Sequence, residues 1–199
     1  MHTILQLLSI IASYLIGAVP FGMVFGKLSS GVDVRTVGSG NIGATNVLRA
    51  AGKKAALLTL LADCAKGLLP VLAIQAAFQD DYLTAFAGIA AVLGHNFPVY
   101  LGFKGGKGVA VSFGVVLAVS PWIGLVCLLT WLAAAIVWRF SSLAALISFG
   151  VYPVLTLVAH TGSKPFGLLS LFIFGTIYFR HRENIKRLLA GVEPKIGEK

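Results

Sequence analysis

The residues best suited to chemistry in this chain form a short polar stretch, Phe103-Lys104-Gly105-Gly106-Lys107-Gly108, between two apolar runs. Glycines let backbone N–H groups turn toward one point, lysines supply positive charge, and the helix predicted to begin at Val109 offers its N-terminus. Together these features indicate a site for an anion such as phosphate. The alternative is a basic loop that only sets the orientation of neighbouring membrane helices.

This stretch resembles a nucleotide-binding P-loop but departs from it at two points. Between Gly102 and Gly106-Lys107 there is one spacer residue too few, and Gly108 stands where the magnesium-binding Ser or Thr belongs. Nucleotide hydrolysis is therefore not expected.

A second polar segment, residues 27–54, contains Gly38-Ser39-Gly40-Asn41-Ile42-Gly43-Ala44-Thr45-Asn46 and then Arg49. It matches the pattern GxGxxG, but an apolar membrane run precedes it where a dinucleotide fold needs a strand. We therefore reject a dinucleotide site. Glycine-shaped backbone, hydroxyl and amide side chains and an arginine remain, and these suit a small polyol phosphate.

The composition places the chain in a membrane. Hydrophobic residues make up 57% and charged residues only 12%, too few to cover a water-soluble domain. The net charge of +9 is not arranged as a basic stripe with interleaved aromatic residues, so no nucleic acid partner is expected. Cys64 and Cys127 lie in apolar runs without ligand spacing, and neither a metal nor a cofactor is expected.

The apolar runs predict an all-α integral membrane protein with seven transmembrane helices, in one polytopic domain over residues 1–199. Ser120-Pro121 divides a run too long for one crossing, which favours a hairpin of two short helices. The basic tail from Arg180 is amphipathic enough to lie along the membrane surface. The expected spans are residues 4–26, 55–78, 82–101, 109–138 as the hairpin, 143–160 and 166–179.

The charge distribution supports the hairpin. With seven crossings, all of the 16 basic residues except Lys66 and Lys164 fall on one side. The positive-inside rule places that side in the cytoplasm and the N-terminus outside. All three basic polar segments then share the cytoplasmic face, as active-site loops would.

Two groups of polar residues within the spans allow more than one interpretation. Asp63 and Lys66 are three apart on one helix face, where they form either a structural ion pair or part of a site. His95 and Asn96 end the third span; we favour a hydrogen-bonding role for His95 over catalysis.

Three motifs resemble those of the bacterial acyl-phosphate:glycerol-3-phosphate acyltransferases, the PlsY family. They are Ser-Gly-Asn-Ile-Gly-Ala-Thr-Asn-Val-Leu-Arg at 39–49, Gly-His-Asn-Phe-Pro-Val-Tyr-Leu-Gly-Phe-Lys-Gly-Gly-Lys-Gly-Val-Ala at 94–110 and His-Arg-Glu-Asn-Ile-Lys-Arg-Leu-Leu at 181–189. The resemblance implies a seven-helix fold in the bacterial cytoplasmic (inner) membrane. It also implies transfer of a fatty acyl group from acyl phosphate to the sn-1 hydroxyl of glycerol 3-phosphate, giving lysophosphatidic acid and phosphate.

The resemblance also implies residue roles, with glycerol 3-phosphate, acyl phosphate and membrane lipids as partners and a monomer as the expected state. Ser39, Arg49, Lys104, His181 and Asn184 are the expected catalytic residues, and Asn41 lies with them around the acceptor. Gly105, Gly106, Lys107 and Gly108 are expected to hold the donor's head group. Asn46, His95 and Asn96 complete the expected substrate-binding set.

Three questions stay open at the level of sequence. His181 acts either as a general base or only in positioning, because the acceptor's own phosphate can take the proton. Ser39 binds the acceptor or, less readily, carries the acyl group. An organophosphate transporter is the competing function, although transporters usually contain inverted repeats, which are absent from this sequence.

Overall fold

The computed structural model describes residues 2–197; the ends of the expected 1–199 domain, residues 1, 198 and 199, lie outside the described residues. Nine α-helices are assigned within the described part of the chain. They are α1 His2–Ala18, α2 Phe21–Ser30, α3 Ala44–Phe78, α4 Asp81–Asn96, α5 Val109–Val119, α6 Pro121–Trp138, α7 Ser141–Ala159, α8 Lys164–Arg180 and α9 Arg182–Leu189.

Five helical segments among the described residues are long and apolar enough to cross a bilayer: His2–Ser30, Ala44–Phe78, Asp81–Leu101, Pro121–Trp138 and Ser141–Ala159. They support a multi-pass membrane protein. The 11 residues of α5 give a length of about 17 Å, shorter than the hydrocarbon core. Neither α5 nor α8 is among the five, so the expected count of seven crossings stays a prediction.

The chain turns back between α5 and α6, as the sequence predicts. Lys107, just before α5, donates a hydrogen bond to Asn184, while Ser142, just after α6, donates one to Glu193. Asn184 in turn donates to Glu193, so both outer ends of the pair lie at the same end of the bundle. The bundle end that contains them is called the site end below.

Close helix packing depends on small residues. A Cβ at Gly67 of α3 would collide with the backbone of Val111 in α5, and one at Gly114 of α5 with the backbone of Cys64 in α3. Thr45 at the start of α3 lies 3.0 Å from Ser141 (Oγ1 to Oγ), and Lys107 precedes α5 at the same end of the bundle, so both helices begin at the site end and run parallel. Such close backbone approach is typical of helices in lipid, where packing replaces the hydrophobic driving force.

Two helix boundaries differ from the sequence-based expectation. The first span is broken at Val19-Pro20, where α1 gives way to α2. The second starts earlier than expected, at Ala44, so Asn46 and Arg49 lie on a helix rather than in a loop. That helical turn is separated from the rest of α3 by Gly52, whose φ of 83° interrupts the helical backbone. Glycine tolerates this conformation without a steric cost.

Asp63 and Lys66 form a buried ion pair with 2.7 Å between Lys66 Nζ and Asp63 Oδ1. Lys66 Nζ also donates a hydrogen bond of 2.8 Å to the carbonyl of Val19, which the break before Pro20 frees from the helix. The pair therefore ties α3 to the break in the first span. The ion pair that the sequence offered as one of two interpretations is thus observed.

Candidate active site

Three chain segments meet at the site end of the bundle. We call residues 31–43 the first loop, residues 97–108 the second loop and residues 180–197 the C-terminal segment. Arg180 hydrogen-bonds the second loop, and Thr45, just past the first loop, lies 3.0 Å from Ser141 at the start of α7 (Oγ1 to Oγ). The segments that carry the three motifs are thus neighbours in space.

A cleft of about 400 Å³ opens between the first and second loops. Three of its lining side chains are cations: Arg35 from the first loop, Lys104 from the second and Arg180 from the end of α8. No carboxylate occurs among the described residues that line it, although Asp33 forms an ion pair with Arg35, with 2.6 Å between Oδ2 and Nη2. The cleft suits an anion. The remaining lining residues are Gly40, Ile42, Phe103 and Gly105.

The first loop takes its shape from Asn46, which is buried on α3. Its Oδ1 accepts from the backbone N–H of Ser39 at 2.9 Å, and its Nδ2 donates to the carbonyls of Val34 and Asn41 at 2.7 and 2.9 Å. Asn41 Oδ1 accepts from the N–H of Gly43, directly before the helix. The side-chain hydrogen bonds of Asn46 are therefore made to backbone groups of the first loop. The side chain of Ser39 is exposed at the surface of that loop.

The second loop rests on His95 and Asn96. The N–H of Gly106 donates to the carbonyl of His95 at 3.0 Å, and a Cβ at Gly106 would collide with His95 Nε2. Gly108 has φ of 85°, and a Cβ there would lie 2.9 Å from Asn96 Oδ1. Both polar side chains are buried, and His95 Nδ1 lies 3.8 Å from Asp63 Oδ1. They lie beneath the loop and are not among the residues that line the cleft, and their assignment to substrate binding stays a prediction.

A chain of hydrogen bonds connects Lys107 to the C-terminal segment. Lys107 Nζ donates to Asn184 Oδ1 at 2.6 Å, and Asn184 Nδ2 donates to Glu193 Oε1 at 2.6 Å. Burial, together with the neighbouring positive charges of Arg187, Arg180 and Arg49, lowers the pKa of Lys107 to about 8 against the opposing effect of Glu193. Lys107 is thus a cation near neutral pH whose charge is only weakly held.

Glu193 accepts hydrogen bonds from three parts of the chain. Its donors are Asn184, Ser142 at 2.6 Å and Arg187 at 2.7 Å. Burial by itself would raise the pKa of Glu193, but these three hydrogen bonds outweigh it and lower the pKa. A carboxylate that stays ionised here fixes the side-chain amide of Asn184, and through it the position of the Lys107 ammonium.

His181 lies buried between α8 and α9. Its Nδ1 is 2.8 Å from the carbonyl of Ile177, and because a carbonyl can only accept, Nδ1 carries the proton. Burial and the charge of Lys107 lower the pKa of His181 to about 4. At neutral pH the ring is therefore uncharged, with Nε2 unprotonated.

The expected site residues other than Ser39 and Arg49 separate into three sets. Lys104 and Gly105 line the cleft, whereas Lys107, His181 and Asn184 lie together beside the second loop. Asn41, Asn46, His95, Asn96, Gly106 and Gly108 shape the loops. Arg49 is half-buried, with Nη2 3.5 Å from the carbonyl of Lys195, and its charge acts on Lys107.

Three functional candidates were missed at the level of sequence: Arg35, Arg180 and Glu193. The two arginines had been counted only as charges that set topology. Glu193 is the only acidic residue between 184 and 197, and a single carboxylate in an otherwise basic tail is the sequence signal for its role.

The fold and the site define a multi-pass membrane protein whose site end is built to receive an anion. A family model described as glycerol-3-phosphate acyltransferase matches residues 7–191. The glycerol-3-phosphate acyltransferase of Thioalkalivibrio sulfidiphilus is 46% identical over 190 residues, which cover 96% of this chain and 93% of that protein. The chain belongs to the glycerol-3-phosphate acyltransferase family and is an integral membrane enzyme of that class.

Two solved structures of PlsY, described as an integral membrane glycerol 3-phosphate acyltransferase, agree with this assignment. The glycerol 3-phosphate form has a TM-score of 0.92 at 45% identity, covering 96% of both chains. The lysophosphatidic acid form has a TM-score of 0.89 at 44% identity, covering 96% of this chain and 95% of that one. The resemblance to the PlsY family is confirmed, and the transporter alternative is not supported.

Proposed function

We propose that this protein transfers a fatty acyl group from acyl phosphate to the sn-1 hydroxyl of glycerol 3-phosphate, giving lysophosphatidic acid and phosphate. The observation that carries the proposal is the cationic cleft at the site end, lined by Arg35, Lys104 and Arg180. The two related PlsY structures, one a glycerol 3-phosphate form and the other a lysophosphatidic acid form, support the acceptor and the product.

Two substrates that each carry a phosphate need two cationic positions. The cleft, which Lys104 lines, supplies one, and the ammonium of Lys107 supplies a second. We assign the Gly105–Gly108 backbone and Lys107 to the donor's phosphate. Ser39, Asn41, Arg49, Lys104 and Asn184 are assigned to the acceptor and the reacting centre.

The reaction needs little covalent help from the protein. The acceptor hydroxyl oxygen attacks the acyl carbonyl carbon and forms the new ester bond. The tetrahedral centre then collapses, the bond from carbon to the phosphate oxygen breaks, and phosphate leaves. Because phosphate is a good leaving group, positioning and stabilisation of the negative charge by the lysines supply most of the rate.

His181 acts in positioning rather than as the general base. A base works best when its pKa is near the working pH, and burial holds the pKa of His181 at about 4. The hydroxyl proton goes instead to a phosphate oxygen of the acceptor, whose second pKa of about 6 is better matched. The hydrogen bond from Nδ1 to Ile177 fixes the ring so that Nε2 can accept from the acceptor.

Ser39 binds the acceptor by a hydrogen bond and does not carry the acyl group. Its side chain is exposed on the first loop, whereas His95 and His181 are both buried. A covalent acyl carrier would need a base within hydrogen-bond reach of the hydroxyl.

We place the protein in the bacterial cytoplasmic membrane as a monomer of one domain, residues 1–199, with seven crossings. The N-terminus lies outside, and the site end and C-terminus face the cytoplasm, because the basic residues gather there. Labelling a Lys195→Cys variant that lacks Cys64 and Cys127 tests this topology. A membrane-impermeant maleimide should react only after the membrane is opened; reaction with intact cells would contradict it.

The function is tested with the purified full chain in detergent, where transport has no meaning. Acyl phosphate and glycerol 3-phosphate should give lysophosphatidic acid and phosphate in equal amounts. Lys104→Ala and Arg49→Ala should each lower kcat/KM by a few kcal/mol of transition-state stabilisation, on the order of 10²-fold. The absence of lysophosphatidic acid with a folded wild-type protein would overturn the donor assignment.

A further inference from the structure

Arg180, at the end of α8, holds two successive carbonyl groups of the second loop. Its Nε donates to the carbonyl of Gly106 at 2.9 Å, and its Nη2 donates to the carbonyl of Gly105 at 2.7 Å. The guanidinium also lies over the ring of Phe97, 5.3 Å from the centroid. The side chain is thus fixed by two hydrogen bonds and a ring contact, all within the same loop.

The opposite edge of this loop is held by His95. The N–H of Gly106 donates to the carbonyl of His95 at 3.0 Å. In a trans peptide the carbonyl of Gly105 and the N–H of Gly106 point in opposite directions. Arg180 and the His95 carbonyl therefore form hydrogen bonds to opposite edges of the same peptide plane.

These hydrogen bonds determine the orientation of the backbone groups that follow in the second loop. Because the carbonyl of Gly106 points to Arg180, planarity directs the N–H of Lys107 away from Arg180. The chain then passes through Gly108, with φ of 85°, into the N-terminus of α5. The orientation of this backbone, and of the Lys107 side chain that bonds Asn184, depends on the two preceding planes.

We propose that Arg180 is a positioning residue that clamps the Gly105 and Gly106 peptides, so that the second loop is preformed for the donor's phosphate. The activity part of this proposal rests on the proposed function, but the clamp itself does not. A guanidinium supplies two donors in a rigid fork, whereas a lysine ammonium is a point charge on a flexible stem. Lysine at this position therefore keeps the charge and loses the clamp.

The test compares Arg180→Lys with a matched control, Arg182→Lys, in the purified full chain. Arg182 is exposed, its guanidinium lies 4.9 Å from the ring centroid of Phe179, and Nη1 donates to the Phe179 carbonyl at 3.4 Å. It thus offers an arginine with an aromatic neighbour and a carbonyl partner outside the cleft. Amide hydrogen exchange without substrates is measured first, followed by acyl transfer.

In Arg180→Lys the amide of Gly106 should exchange about tenfold faster or more, because loss of the clamp lowers the cost of opening the loop. The melting temperature should be unchanged, while kcat should fall by about tenfold or more, because the second loop is no longer preformed for the donor's phosphate. Arg182→Lys should match the wild type in both measurements.

Three results would overturn the clamp. The first is unchanged exchange at Gly106, and the second is acyl transfer by Arg180→Lys within about threefold of wild type, which would mean that only the charge matters. The third is loss of the cooperative melting transition in both Arg180→Lys and Arg180→Gln but not in Arg182→Lys, which would make Arg180 a residue of the fold. A wild-type protein that transfers no acyl group would refute the proposed function. If the Gly106 amide still exchanges faster in Arg180→Lys, the clamp is supported independently of that function.

Discussion

Lys107 should make the enzyme lose activity in mildly alkaline solution. Burial and the nearby cations hold its pKa at about 8, so the free enzyme loses this charge well before an ordinary lysine would. The protonated fraction falls from about nine-tenths at pH 7 to about one-tenth at pH 9. If the ammonium is needed to receive the donor's phosphate, kcat/KM for acyl phosphate should fall about tenfold over this range.

The assay is release of phosphate between pH 6.5 and 9.5, corrected for spontaneous hydrolysis of the donor at each pH. Lys107→Arg keeps a charge that does not titrate, so its kcat/KM should be lower throughout but nearly constant from pH 7 to 9. Lys104→Arg is the control, because Lys104 is exposed on the same loop and the alkaline fall should persist there. A wild-type profile that stays constant to pH 9, or the same fall in Lys107→Arg, would refute this reasoning.

Three further predictions concern buried polar groups. Since burial keeps the pKa of His181 at about 4, its ring is neutral from pH 5 to 8. The fall of kcat/KM on the acid side of the pH profile should therefore persist in His181→Asn. Loss of this acid-side fall in the variant would identify His181 as the general base. Asp63→Ala leaves Lys66 buried without its partner and should lower the free energy of unfolding by about 3–5 kcal/mol, whereas Asp63→Leu with Lys66→Met should recover most of it. Glu193→Gln should cost about 1–3 kcal/mol in thermal unfolding, against under about 0.5 for the exposed Glu183→Gln; equal costs would contradict the structural role of Glu193.

The membrane setting and the meeting of the motifs were predictable from sequence. Hydropathy identifies apolar segments without knowledge of their neighbours, because each helix satisfies its own backbone in lipid. The charge count then selected the hairpin at Ser120-Pro121, since one helix over residues 109–138 would have put the tail at the far end. The structure bears out that turn, with Lys107 and Ser142 at the same end.

Buried polar residues near the motifs were harder to assign. Asn46, His95 and Asn96 were expected among the substrate contacts because they lie in or next to motif sequence. A motif records that residues act together, but not which of them face the substrate and which support the backbone. The structure puts all three beneath the loops, where Asn46 alone makes three hydrogen bonds to backbone groups.

The sequence by itself determined that the chain spans a membrane, that its basic segments share one end, and that glycines and lysines there suit phosphate. Those conclusions follow from composition and local spacing, which need no information about distant contacts. Only the tertiary structure decided that Arg180 donates a hydrogen bond to the carbonyl of Gly105, 75 positions away. The same is true of the hydrogen bonds that join Asn184 to Glu193 and to Lys107. The partner of a long polar side chain depends on how the helices pack, and helix packing is a property of the whole bundle.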